Sequence, residues 1–159
     1  WLNAHYIKQC EITRLVALVK PRLEAHGIAV AATPSLEAII GLYKERVSNL
    51  NELATAATIF YSAVVPDAET LAQHLTPEAR PALMDFMAGV ADVLWEAPAI
   101  SALIKTCMGK HGLKMPKLAM PLRVLLTGSA HTPSVDALIA LFPREVVIER
   151  LRAGLASAN

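Results

Sequence analysis

The residues best suited to recognition chemistry lie between Leu118 and Val135, in the stretch LAMPLRVLLTGSAHTPSV. Arg123 sits among apolar residues there, just before a Gly-Ser-Ala-His-Thr-Pro turn. A guanidinium has five N–H donors and does not lose its proton, so it is seldom buried without an acceptor. We predict that Arg123 either pairs with an acceptor of the protein or is positioned for one that a ligand supplies.

The segment around Arg123 is basic. Although the formal net charge is only +1, residues 1–100 carry 7 Lys or Arg against 11 Asp or Glu, and residues 101–159 carry 8 against 3. Between positions 105 and 131 there is no Asp or Glu, and the cations are Lys105, Lys110, Lys114, Lys117 and Arg123. Such a run suits a phosphate backbone through counterion release, and an ordinary solvated surface is the alternative.

Motifs for catalysis are absent from the sequence. It has no GxxxxGK[ST] or GxGxxG phosphate loop, no HExxH and no GxSxG. The histidines lack metal-ligand spacing, and Cys10 and Cys107 form no CxxC, so we predict neither a catalytic residue nor a metal site. A weak alternative is an acid/base pair of Asp85 and Asp92. No apolar run approaches the ~18 residues that span a bilayer. The chain therefore reads as a binding module.

Helical elements must position these residues. The sequence is punctuated by Thr-Pro and Pro-Asp helix starts and has no sustained period-2 alternation, which predicts an all-α fold of two adjoining small helical bundles. Pro21 is expected to kink or end the regular part of the first helix. The predicted helices span residues 11–26, 36–50, 52–62, 68–74, 77–95, 97–111, 118–126, 133–141 and 143–156.

A second arginine, Arg46, lies on the predicted helix that includes residues 36–50, with Thr33 expected as its N-cap and Pro34 in its first turn. Its apolar stripe consists of Leu36, Ile39, Ile40, Tyr43, Val47 and Leu50. At ~100° per residue, Arg46 falls roughly 70° from the centre of this stripe. Its aliphatic stem can therefore pack while its head reaches a groove.

The segments WLNAHYIK, GLYKERVSNLNEL and GLKMPKLAMPLRVLLTGSAHTPSVDALIALFPREVVIERL resemble the C-terminal, anticodon-binding region of bacterial glutamyl-tRNA synthetases. The resemblance runs along the whole chain. It implies that residues 1–10 are a remnant of a linker or stem-contact domain, and that residues 11–68 and 69–159 are two helical anticodon-binding subdomains. The break between the subdomains falls near VVPDAET, residues 64–70.

The resemblance also implies a parent enzyme, an ATP- and Mg-dependent glutamate–tRNA ligase. The class I catalytic signatures are missing and the chain opens with Trp rather than Met, so we expect an inactive piece without a cofactor of its own. The expected partner is the glutamate tRNA, without DNA or membrane binding. The parent is expected to be monomeric and cytoplasmic.

The resemblance assigns roles to particular residues. In the family pattern an arginine facing the third anticodon base is matched by Arg46. The positions that meet the first and second bases and nearby phosphates are matched by Arg123, Thr132, Pro133 and Val135, and we assign phosphate contact alone to Lys114 and Lys117. The start of a helix at Thr132-Pro133 would add free N–H donors.

An arginine at the third base predicts an enzyme that discriminates. Cytosine presents the acceptors O2 and N3, whereas guanine presents the donors N1–H and N2–H₂. A donor-only guanidinium matches cytosine and leaves groups unpaired against guanine, at roughly 1–3 kcal/mol each.

One departure from the family is Pro143, where many members have glycine. Proline is tolerated at a first helical position, so we expect the final helix to form. The alternative function is a non-catalytic helical scaffold for protein interactions, in which the basic segment is incidental.

Overall fold

The computed structural model describes residues 4–31 and 34–157, and these form helices without strands. The predicted all-α fold is confirmed. The helices are α1 Ala4–Gln9, α2 Ile12–Ala25, α3 Leu36–Tyr43, α4 Leu50–Thr58, α5 Ala68–His74, α6 Ala79–Val90, α7 Ala97–His111, α8 Met115–Thr127, α9 Val135–Leu141 and α10 Arg144–Ser157. The WLN opening and the proposed cap Thr33 lie outside the described residues.

The chain divides into two compact units, Trp1–Ala63 and Val64–Asn159. In the first unit, α2 packs against α3 and α4. Helix α2 runs past Pro21, because Val19 and Leu23 on either side are buried in the core and hold the backbone in register. Their burial outweighs the single backbone hydrogen bond that a proline removes.

The predicted helix over residues 36–50 is wrong at its centre, and Arg46 does not lie on a helix. Helix α3 ends at Tyr43, and Arg46 occupies a turn in which its N–H donates to the Tyr43 carbonyl at 2.8 Å. A new helix starts at Leu50 because Asn49 caps it, its side chain accepting from the Glu52 N–H at 2.9 Å.

A second hydrogen bond supports this helix start, since the Glu52 carboxylate accepts from the N–H of Ser48, the residue before the cap, at 2.7 Å. We expect Asn49→Ala to destabilise the first unit by about 1 kcal/mol. Urea unfolding followed by circular dichroism measures this change. The matched control is Asn51→Ala, an exposed position two residues further along the chain whose side chain caps nothing in the described contacts. If both variants unfold alike, the cap does not start α4.

In the second unit, α8 lies at the centre. It packs against α5, α6, α7, α9 and α10, and α6 also packs against α7. Leu118, Leu122 and Leu126 of α8 are fully buried, as are Phe86 of α6 and Ile104 of α7. This burial explains why α8 tolerates an internal proline, Pro121.

The final helix forms despite Pro143, as predicted. Helix α10 begins at Arg144, and the Val147 N–H donates to the Pro143 carbonyl at 3.2 Å. The Arg144 guanidinium donates to main-chain carbonyls beyond the end of α6 and lies 5.0 Å from the centre of the Trp95 ring. Arg144 is therefore a structural residue that joins the start of α10 to the end of α6.

Candidate nucleic-acid interface

Helix α8 presents one narrow face outside the core. After its first two residues, the positions that are not buried are Lys117, Met120, Arg123 and Thr127. Spacings of three and four place them on one side of the helix. We call these four residues the α8 stripe. Along this stripe, Arg123 follows the thioether of Met120 and lies between the cation of Lys117 and the hydroxyl of Thr127.

The guanidinium of Arg123 has no oxygen acceptor among the described residues. Its Nε is buried without a hydrogen-bond partner, and its Nη1 contacts only the Met120 Sδ, at 3.8 Å. Leaving a buried donor unpaired costs about 1–3 kcal/mol, so such groups call for an explanation. Of the two sequence-based alternatives for Arg123, the first, an oxygen acceptor supplied by the protein, is not found among the described residues.

The other arginines of the second unit are paired with oxygen. Arg80 donates to the Leu155 carbonyl at 3.0 Å and Arg150 to the Leu126 carbonyl at 2.6 Å. The remaining pairs are Arg144 with Ala91 and Val93, and Arg152 with Glu149. These side chains hold helices together or form a surface ion pair, which sets Arg123 apart.

The turn after α8 is shaped by two hydroxyls. Thr127 donates to the Arg123 carbonyl at 2.7 Å, and its oxygen accepts from the Ser129 N–H at 3.1 Å. The Ser129 oxygen accepts from the His131 N–H, also at 3.1 Å. Gly128 between them has φ +80°, a conformation that favours glycine. The turn is therefore tied to the helical turn that carries Arg123.

Thr132, Pro133 and Val135, three of the predicted site residues, are buried. Only 7% of Thr132 and 2% of Val135 are exposed, and the Thr132 hydroxyl donates to the Pro133 carbonyl at 2.8 Å. Their side chains pack into the second unit and fix the path of the turn. The exposed residues next to them are His131 and Ser134, which the sequence reasoning did not select although both are polar residues flanking the Thr-Pro pair.

The start of α9 differs from the sequence expectation. The helix begins at Val135 rather than at Pro133, and the Ser134 hydroxyl donates to the Asp136 carboxylate. A carboxylate in the first turn already complements the positive end of the helix dipole. The helix start is therefore poorly suited to a phosphate.

The predicted phosphate contacts, Lys114 and Lys117, are both exposed near the start of α8. Lys110 is different, because it pairs with Asp85 at 3.0 Å. The His111 Nε2 lies 2.5 Å from the same carboxylate, and these hydrogen bonds from His111 and Lys110 lower the pKa of Asp85. Asp85 is thus engaged by α7 and does not pair with Asp92 as an acid and base.

Among the described residues, no group of His, Cys, Asp and Glu could hold a metal ion. No described helix is long and apolar enough to cross a bilayer. The buried thiol of Cys107 has a raised pKa, chiefly because it is desolvated. A thiol with a raised pKa carries less thiolate and is a weaker nucleophile.

Arg46 belongs to the first unit and presents an exposed guanidinium. No hydrogen bond or ion pair of this guanidinium is found among the described residues. In the same unit, the Tyr43 ring meets the Phe60 ring edge to face, with centroids 6.1 Å apart. Burial raises the pKa of Tyr43 to about 12, and the charge of Arg46 partly opposes that rise. Arg46 is therefore an exposed cation whose guanidinium makes no hydrogen bond or ion pair within the described part of the chain.

The fold matches those of solved tRNA ligases. A crystal structure of a glutamate–tRNA ligase from Elizabethkingia meningosepticum superposes with a TM-score of 0.88 at 23% identity, covering 99% of this chain and 31% of that one. A glutamate–tRNA synthetase from Elizabethkingia anophelis gives 0.82, also at 23% identity, over 97% of this chain and 30% of that one. At this identity, the likeness shows the fold alone.

Two sequence relatives have a higher identity to this chain than these solved structures have. The glutamate–tRNA ligase of Dechloromonas aromatica is 57% identical over 155 residues, which are 98% of this chain and 33% of that protein. The glutamate–tRNA ligase of Burkholderia ambifaria is 50% identical over 159 residues, covering 98% of this chain and 34% of that protein. The chain thus spans about a third of the length of these relatives.

The family is shown by a protein-family sequence model that covers most of the chain. The model described as an anticodon binding domain matches residues 14–155. This range contains α8, the turn that follows it, and Arg46. The chain belongs to the anticodon-binding domain family.

Proposed function

We propose that this chain is the tRNA-reading part of a glutamate–tRNA ligase and that it binds the anticodon loop of the glutamate tRNA. The names of the relatives and the family match support this assignment. ATP and Mg binding, glutamate activation and transfer to tRNA belong to the rest of the parent enzyme. We infer that the parent acts in the cytoplasm as a monomer.

The observation that carries the proposal is the unpaired guanidinium of Arg123. RNA loops supply what it lacks, namely base carbonyls, ring nitrogens and phosphate oxygens. Its aliphatic and thioether surroundings also lower the local dielectric, which strengthens a hydrogen bond to a charged donor. We assign Arg123 to the first or second anticodon base and the adjacent phosphate.

We propose an indirect role for Thr132, Pro133 and Val135. Because their side chains are packed in the core, they act by fixing the main chain of the turn that follows Arg123. The side chains in a position to touch RNA at this turn are those of His131 and Ser134, which are exposed. A loop base would then meet main-chain groups and His131 rather than the buried side chains.

Arg46 is proposed to read the third anticodon base. Its exposed guanidinium has donors and no acceptor, so it complements the O2 and N3 atoms of cytosine and opposes the N–H groups of guanine. Glutamate anticodons end in cytosine and glutamine anticodons in guanine. We therefore propose that the enzyme charges the glutamate tRNA and rejects the glutamine tRNA.

Lys114 and Lys117 are proposed to contact phosphates. Replacing Lys117 by alanine should reduce the slope of log affinity against log salt by about 0.7–1, the contribution of one phosphate contact. Lys110→Ala is the matched control, because Lys110 is already paired with Asp85 at 3.0 Å. Fluorescence anisotropy at several salt concentrations gives both slopes. Equal reductions in the two variants would contradict the assignment.

The experiment that tests the proposed function is the salt dependence of binding to an anticodon stem-loop. An RNA reader loses affinity steeply as salt rises, because counterions return to the phosphates. A protein-interaction scaffold binds the stem-loop weakly at every salt concentration. Absence of salt-dependent binding would favour the scaffold and overturn the proposal.

A further inference from the structure

Met120 is the one side chain that the Arg123 guanidinium contacts through a hydrogen bond in the described structure. Its Sδ lies 3.8 Å from Nη1, on the same α8 stripe and three residues earlier in the helix. A thioether sulfur is a weak acceptor, so the contact leaves most of the hydrogen-bonding capacity of the guanidinium unused. Met120 is also partly exposed, and exposure favours oxidation by small oxidants.

We propose that Met120 is an oxidation site that controls the availability of Arg123. A peroxide transfers one oxygen atom to the thioether sulfur, which loses two electrons and gains an S=O bond. The O–O bond of hydrogen peroxide breaks, and the second oxygen leaves as water. The product, methionine sulfoxide, is returned to methionine by sulfoxide reductases.

Oxidation changes the acceptor at this point in the site. The sulfoxide oxygen carries partial negative charge and lies on the sulfur that already contacts Nη1, so it can accept a charge-assisted hydrogen bond from Arg123. The guanidinium is then held against α8 by the protein itself. The same oxygen faces the approaching RNA and repels its phosphates. Oxidation of Met120 therefore makes the Arg123 guanidinium unavailable to RNA, whereas the reduced protein leaves it available.

This inference rests on the proposed RNA-binding function, and the protein offers a clean set of variants to test it. Met120→Leu keeps the volume and removes the oxidisable sulfur. Met115→Leu is the matched control, since Met115 lies on the same helix, is 40% exposed and also carries an oxidisable sulfur. The oxidant is hydrogen peroxide, and mass spectrometry of tryptic peptides establishes which methionines carry oxygen.

We expect peroxide to weaken binding of the anticodon stem-loop by about tenfold in the wild type and in Met115→Leu. Met120→Leu should keep its affinity after the same treatment, and a sulfoxide reductase should restore the wild type. Equal affinity of reduced and Met120-oxidised wild type would overturn the inference. Equal loss in Met120→Leu would overturn it too. If the reduced wild type does not bind the stem-loop, it is the proposed function that fails.

A second readout needs no RNA. The Arg123 Nε–H resonance of the ¹⁵N-labelled protein should shift when Met120 is oxidised, because the guanidinium gains an oxygen acceptor. The resonance of Arg152, which pairs with Glu149 at 3.1 Å, should stay in place. An Arg123 resonance that does not move in protein with fully oxidised Met120 would contradict the inference whatever the RNA result.

Discussion

Replacing Arg123 by alanine is expected to weaken binding of the glutamate anticodon stem-loop by about ten- to hundredfold. The reason is the loss of the charge-assisted hydrogen bonds that the planar Arg123 guanidinium can donate to a base edge and the adjacent phosphate. The fold should persist, because the Arg123 guanidinium donates to no oxygen atom within residues 4–31 and 34–157. We expect the free energy of unfolding to change by no more than about 1 kcal/mol. Isothermal titration and urea unfolding measure the two quantities.

The control for this substitution is Arg152→Ala, which removes the same charge from the same unit. Arg152 lies on α10, has a side chain that is 66% exposed, and pairs with Glu149 at 3.1 Å. The Arg152→Ala substitution should lower RNA affinity only by the small amount expected from the loss of one positive charge. If both alanine variants lose affinity equally, Arg123 contributes as one charge among many rather than as a specific contact.

Replacing Arg46 by glutamine is expected to remove most of the preference for cytosine over guanine at the third anticodon base. The wild-type preference should be about ten- to hundredfold, from one or two donors left unpaired against guanine. Glutamine presents both a donor and an acceptor, so it can bond to either base. The measurement is the ratio of dissociation constants for two stem-loops that differ only in this base.

Arg14→Gln is the matched control for Arg46. Arg14 is an exposed arginine of α2 in the same unit. Its replacement should lower the affinities for both stem-loops together and leave their ratio unchanged. A wild-type ratio near one would contradict the assignment of Arg46, and so would an undiminished ratio in Arg46→Gln.

Part of the helical pattern could be predicted from sequence because local signals mark it. Helices α5 and α7 occupy the predicted residues 68–74 and 97–111. Asp67 caps α5 by accepting from the Thr70 N–H, and Gly112 ends α7 with φ +62°. Both signals are side-chain or backbone preferences that act within one turn of helix.

The break between α3 and α4 could not be predicted from hydrophobic periodicity. Val47 and Leu50 are buried, as a continuous helix would place them, although Val47 lies in the connection. The turn thus keeps Val47 and Leu50 buried, as in a continuous helix, although its backbone is not helical. The informative signal was the Asn49-x-x-Glu52 capping box, which is typical of a helix start.

The site was predictable only in part. A lone cation in an apolar segment indicated that Arg123 needed an acceptor, but whether the protein supplied one depended on the positions of distant carbonyls. Arg150 reaches the Leu126 carbonyl from another helix, and Arg123 reaches none among the described residues. The burial of Thr132 and Val135 likewise follows from packing in three dimensions rather than from turn chemistry.

The claim that Arg123 reads an anticodon loop is checked by comparing the affinities of this chain for two RNAs that share one stem. One carries the glutamate anticodon loop, and the other carries a loop of equal length with the three anticodon bases changed. At about 0.15 M salt, where nonspecific contacts are weakened, this chain should bind the first RNA at least about tenfold more tightly. Equal affinity for the two stem-loops would contradict the claim.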